Sequence, residues 1–146
     1  NNSQLVEPNQ NVLLNDSIRC PHGYVIHRNG SGIVNLRGIV NNPCGCFTRY
    51  QVTYNGNLTI PEGGTPGSIA IALAIDGEPI QTSRAIVTPA AVGDFFNATS
   101  TAIITVPKGC CYTVAVENVS VSADPATTPA PEIEVANSNL TVTRIA

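Results

Sequence analysis

At 146 residues, with 12% charged side chains and a formal net charge of −3, the chain fits one domain with room for a real core. Six scattered arginines and one lysine, Lys108, form no basic stripe, which excludes a phosphate-backbone binding surface, and no apolar run approaches the ~20 residues of a membrane-spanning helix. Polarity rests instead on Asn, Thr, Ser and Gln, and with so little lysine to protect edge strands, closure or self-association gains weight.

Helical periodicity is nowhere sustained, and Gly and Pro recur at short intervals, which predicts an all-β sandwich or barrel. Strands are expected at Gln4 to Val6, Asn11 to Leu14, Tyr24 to His27 and Ile33 to Val40, with Arg28 to Gly32 as a turn. The polar stretch Asn1 to Asp16 reads as an N-terminal arm or first strand, and residues 17–146 as a single domain. An arm of this kind would add a strand to a neighbouring subunit, so its deletion should weaken assembly and spare the fold. The chain begins at Asn1 and has no methionine, as expected of a mature product, a processed fragment or the ordered part of something longer.

From Phe47 to Ile60 the pattern is strict. Tyr50, Val52, Tyr54, Leu58 and Ile60 share one parity, and Arg49, Gln51, Thr53, Asn57 and Thr59 share the other, the signature of a strand with one dry and one wet face. Asn55-Gly56 is expected to form a glycine bulge within this strand, with a two-residue hairpin as the alternative. Ile69 to Ile75 alternates large apolar residues with Ala70, Ala72 and Ala74, so something should pack on both faces. Asp76-Gly77 then supplies a tight hairpin turn into a strand from Glu78 to Thr88. Thr88 to Ser100 and the proline-stiffened Val119 to Pro131 read as long loops. Strands are expected again at Thr101 to Val106, Cys111 to Asn118, Ile133 to Val135 and Asn139 to Ile145.

In this order, His27 to Ile39, Tyr50 to Tyr54, Ile71 to Ser83, Thr101 to Gly109 and Asn139 to Ile145 resemble the jelly-roll superfamily of tumour necrosis factor and the complement heads. The likeness is strongest to the trimeric C-terminal domains of bacterial collagen-like spore-surface (exosporium) glycoproteins, and related domains occur in phage structural proteins. The sequence departs from those domains in lacking a Gly-x-y repeat, in its cysteines and in the length of the Thr88 to Ser100 loop. The resemblance implies a jelly-roll β-sandwich of two antiparallel sheets with about ten strands. It also implies a homotrimer whose inner sheet packs on a threefold axis, with a virion or spore coat as its setting. The candidate contact face is the Ala70, Ala72, Ala74 row, flanked by Tyr50 and Tyr54; the alternative is that these alanines face a sheet of their own sandwich.

Cys20, Cys44, Cys46, Cys110 and Cys111 are odd in number, so at least one thiol is free or bonded to another chain. In an oxidising compartment they are disulfide candidates, with Cys44-Gly45-Cys46 placed to bridge to Cys110-Cys111. A metal site using these thiols with His22 is disfavoured, since zinc ligand pairs need gaps of about two to four residues. No cofactor motif, nucleophile elbow or phosphate loop is present; a Cys-His nucleophile would need Cys20 or Cys46 beside His22 or His27. Asn-x-Ser/Thr recurs at Asn1, Asn15, Asn29, Asn57, Asn97, Asn118 and Asn139, read as polar strand composition rather than glycosylation. The expectation is a non-enzymatic structural protomer on an external surface, self-associating within a larger particle or filament, without nucleic acid or membrane insertion. The alternative is a lectin-like or receptor-binding head using the two long loops, with Phe95 and Phe96 as its ligand residues.

Overall fold

A computed structural model describes residues 3–14, 25–27, 30–38, 47–65, 67–121 and 130–145. Ten strands follow one another: β1 (Gln4–Val6), β2 (Val25–His27), β3 (Val34–Arg37), β4 (Phe47–Thr59), β5 (Ile69–Ile75), β6 (Glu78–Pro79), β7 (Ala85–Val87), β8 (Phe96–Pro107), β9 (Cys111–Asn118) and β10 (Ile133–Arg144). They form two antiparallel sheets, a four-stranded one ordered β1-β10-β4-β8 and a six-stranded one ordered β2-β3-β9-β5-β6, with β7 also on β5. The chain is a jelly-roll β-sandwich.

The alternation in β4 is what holds the sandwich together. Tyr50, Val52, Tyr54 and Leu58 have no exposed surface, and they meet Leu36, Ile69, Ile71, Leu73, Ile104, Val114 and Ile133 in one core. Each large side chain so buried contributes about 2 kcal/mol. Tyr50 donates its hydroxyl to the Arg37 carbonyl at 2.5 Å, and the Tyr54 hydroxyl meets Ser138 Oγ at 2.9 Å, so both polar tips are partnered inside an apolar interior.

β4 is continuous through Gly56. The irregularity lies on its partner: β10 shifts register between Ala136 and Asn139, with Asn137 at φ 56°. Gly56 is needed for a different reason from the bulge expected there. A Cβ at this position would stand 2.3 Å from the Tyr54 hydroxyl, which reaches past Gly56 on the same face. The bulge in β10 therefore merges two short expected strands into one, because it returns Leu140 and Val142 to the core side.

Asp76 and Gly77 form the predicted turn, at φ 50° and 86°. The strand expected from Glu78 to Thr88 is instead broken by a 3-10 turn at Gln81–Ser83. Ser83 Oγ donates to the Ile80 carbonyl at 2.6 Å and accepts from Leu73 N at 3.0 Å, standing in for the missing ladder bonds. β8 begins earlier than expected, at Phe96, and the loop before it is shorter, because residues 96–100 pair with Tyr54 to Leu58 of β4.

The N-terminal segment binds its own chain here. Gln4–Val6 pairs with β10, while Asn9, Gln10 and Val12 bond to Asn118 and Val116 of β9, so residues 3–14 straddle both sheets. Val6 and Val12 are buried at 2% and 0% exposure. Asn118 ties the join: its Nδ2 donates to the carbonyls of Val6 at 3.0 Å and Pro131 at 3.1 Å, and its Oδ1 accepts from Ser120 N. Removing the segment therefore strips core residues, contrary to the expectation of a dispensable arm.

Candidate functional site

The sandwich has two outer faces, and their chemistry differs. On the four-stranded sheet, the outward residues of β4 meet those of β10 and β8 in rows. Thr143, Gln51 and Ile103 form one; Thr141, Thr53 and Thr101 the next; Asn139, Asn55 and Thr99 the third; and Asn57 with Asn97 the last. Side chains in such a grid repeat at about 7 Å along a strand and about 5 Å across. None of these residues is charged. They bond to one another: Asn55 Oδ1 accepts from Asn97 Nδ2 at 2.6 Å and Thr99 Oγ1 at 3.2 Å, and Thr53 Oγ1 lies 3.3 Å from Thr101 Oγ1.

This grid explains the repeated Asn-x-Thr. In a strand, i and i+2 share a face, so Asn97 with Thr99 and Asn139 with Thr141 are simply consecutive outward positions. In each pair the threonine hydroxyl stands within hydrogen-bond reach of the asparagine Oδ1, at 3.0 and 3.1 Å, with the single Thr99 proton shared between Asn97 and Asn55. Asn118, by contrast, has 0% exposure and points into the structure.

The six-stranded sheet carries the alanine row outward. Ala70, Ala72 and Ala74 fall outside the core cluster that holds Ile69, Ile71 and Leu73, yet they are only 1–2% exposed. The register names their cover. Ala70 lies against Ile86, Ala72 against Glu117 and Ala74 against Ala115, and the pairing of Ile71 with Ala85 places Arg84 beside Ala72. Arg84 Nη2 reaches the Val119 carbonyl at 3.2 Å, and Val119 itself bonds to Ala70, so the guanidinium crosses the row. The row is thus occupied by the chain's own side chains. With Tyr50 and Tyr54 inside the sandwich as well, none of the five residues expected at an oligomer contact is open to a partner.

Glu117, at 8% exposure, flanks the alanines, and burial followed by the nearby Glu78 carboxylate pushes its pKa up. Burial also raises the Tyr54 phenol, offset in part by its bond to Ser138. An open groove of about 430 Å³ lies between β1 and residues 10–13, lined by Leu5, Leu13, Glu7 and Glu132 among others.

The overall arrangement matches a solved structure. The globular domain of zebrafish complement 1qA protein aligns with a TM-score of 0.55 at 14% identity, over 94% of this chain and 92% of that one. The fold is that of a C1q head. Two further structures align more weakly: the C-terminal domain of EclA, a sugar-binding protein (15% identity, 82% and 84% coverage, TM-score 0.39), and a CBM35 from Cellvibrio japonicus Abf62 (12%, 96% and 96%, 0.24). Scores that low carry no statement about this chain. No family model and no curated protein matches the sequence.

Within this C1q-like frame the cysteines divide. Cys110 and Cys111 are free and exposed where the β8 to β9 hairpin closes; Cys20, Cys44, Cys46 and His22 lie outside the described residues, and so does most of the 119–131 loop. His27 sits on β2 with its Nε2 2.8 Å from the Ser31 carbonyl, which occupies that nitrogen in a turn contact. Among the described residues no three His, Cys, Asp or Glu side chains are placed to hold a metal. Phe95 and Phe96 are exposed, at 47% and 45%, beside the start of β8.

Proposed function

We propose that the chain is a non-enzymatic head that assembles with copies of itself, as a trimer, on an external surface such as a virion or spore coat. The contact is the outer face of the four-stranded sheet, and the observation that carries this reading is its charge-free Asn/Thr grid spanning β10, β4 and β8. These central rows expose Asn, Thr and Gln with one isoleucine, Ile103, and carry no charge, so a second copy can exchange hydrogen bonds with them and no charge in these rows is desolvated. The six-stranded sheet offers no such option, because its small-residue floor is already covered. Light scattering coupled to size exclusion tests the reading. The expected result is a trimer that Thr53→Arg, at the centre of the grid, converts to a folded monomer; a trimer unchanged by Thr53→Arg would place the contact elsewhere.

A second reading, a binding head, is favoured by the exposed Phe95 and Phe96 pair. Its test is Phe95→Ala with Phe96→Ala against a glycan array: binding by the parent chain that the double variant loses would support it, and silence of the parent would count against it.

A further inference from the structure

Among the described residues, the strand register places most cations at one end of the sandwich and most carboxylates at the other. β4 spans the sandwich from Phe47 to Thr59, about 40 Å. At its start lie Arg49, Arg144 (three rows in, opposite Tyr50), Lys108 in the hairpin after Pro107, and Arg37 opposite Cys111. At its finish lie Glu134 opposite Thr59, Glu132 beside it, Glu7 following β1, Glu62 just past Ile60, and Asp94, whose neighbour Gly93 bonds to Ile60. The exceptions among the described charges are on the six-stranded sheet: Arg84 and Glu117 flank the alanine row midway, while Asp76, bonded to Thr113, and Glu78, opposite Ile75, lie near Cys111 and set two carboxylates against the four cations of the basic end. A separation of about 40 Å is several Debye lengths at physiological salt, so the two ends do not neutralise each other within one molecule.

The phenylalanines follow the same axis. The chain has three phenylalanines, and none is in the core. Phe47 (40% exposed) is at the basic end with Ile145 (46%), under the Arg49 guanidinium at 4.5 Å from the ring centroid. Phe95 and Phe96 are at the acidic end. Aromatic anchors ringed by charge are how protein contacts are built, and here each end carries one half of a complementary pair.

We propose that the acidic end of one copy docks on the basic end of the next. The contact is head to tail and does not close on itself, so it propagates as a stack or filament along the strand direction, independently of the side-by-side contact above. Cys110 and Cys111, exposed at the basic end, lie at the rim of this joint.

Sedimentation of the full chain tests it. The expected result is concentration-dependent association beyond any trimer at about 0.1 M salt that is lost at about 1 M, where the Debye length falls to roughly 3 Å. Arg49→Glu with Lys108→Glu should abolish that association, and so should Glu62→Lys with Asp94→Lys. An equimolar mixture of the two variants should restore it, since each then presents ends complementary to the other. All four positions are exposed, and folding is checked by thermal melting. Size distributions that ignore salt, variants that stack like the parent, or a mixture no larger than its parts would each overturn the proposal. Thr53→Arg separates the two contacts, because it removes the trimer and leaves salt-dependent stacking in place.

Discussion

The two outer faces of this sandwich are built from strands of similar regularity and end in opposite states. On the four-stranded sheet, outward Asn and Thr satisfy part of their hydrogen-bonding capacity among themselves and stay accessible. On the six-stranded sheet, outward alanines leave a shallow floor that Arg84 and Glu117 close over from either flank. The lesson is that side-chain size on one strand does not decide whether a face is free. What matters is the length of the side chains on the neighbouring strands, because a long arm fills the space that a short one leaves.

The largest expected effect breaks the covered face. Ala72→Arg forces a long cation into a site with 1% exposure beneath Arg84, and should cost about 3 kcal/mol of folding stability or more, read as a fall in urea midpoint. Deletion of residues 1–14 should be comparably severe. It removes Val6 and Val12 and leaves Asn118 Nδ2 with one partner fewer, so a drop in melting temperature is expected where a dispensable arm would give none. Gly56→Ala tests the support under the open face: with the Tyr54 hydroxyl 2.3 Å from the new Cβ, a loss of about 2 kcal/mol is expected, recovered in part by adding Tyr54→Phe.

On the open face the sign of the comparison reverses. Thr53→Arg should change monomer stability by less than about 0.5 kcal/mol while removing assembly, so stability and oligomeric state respond to different faces. The smallest effect is a pH dependence. Glu117 has its pKa raised in the folded state, so folding favours its protonated form, and its ionisation costs stability as pH rises from the unfolded value through the folded one. Glu117→Gln should therefore stabilise the protein at neutral pH, and the difference between variant and parent should vanish below about pH 4. A difference that grew on acidification would mean that the carboxylate is stabilised by a partner.

Much of the fold was legible in the chain. The parity of Tyr50 to Ile60 survives through Gly56, the Asp76-Gly77 turn takes the conformation its residues favour, and Cys111 to Asn118 is a strand with the expected ends. Other features were hidden because their signal is carried by partners. Phe96 to Ser100 has little intrinsic strand character and is extended by pairing with β4; the 3-10 turn at Gln81–Ser83 depends on where Leu73 presents its backbone. The functional faces were less legible still. The Asn-x-Ser/Thr excess was visible as composition, but the place of Asn57, Asn97 and Asn139 in one grid needed the registers of β4, β8 and β10 together.

Sequence alone determined which residues of each strand face the same way, since a period of two is local and each turn residue acts on its own neighbours. It likewise determined that the alanine row would be dry on both sides, though not by what means. Tertiary structure decided the rest. It joined the central rows of β4, β8 and β10 into one neutral surface, laid Arg84 across β5 and gathered most of the described cations at one end and most of the carboxylates at the other, because strand order and register are set by long-range pairing that no local pattern encodes.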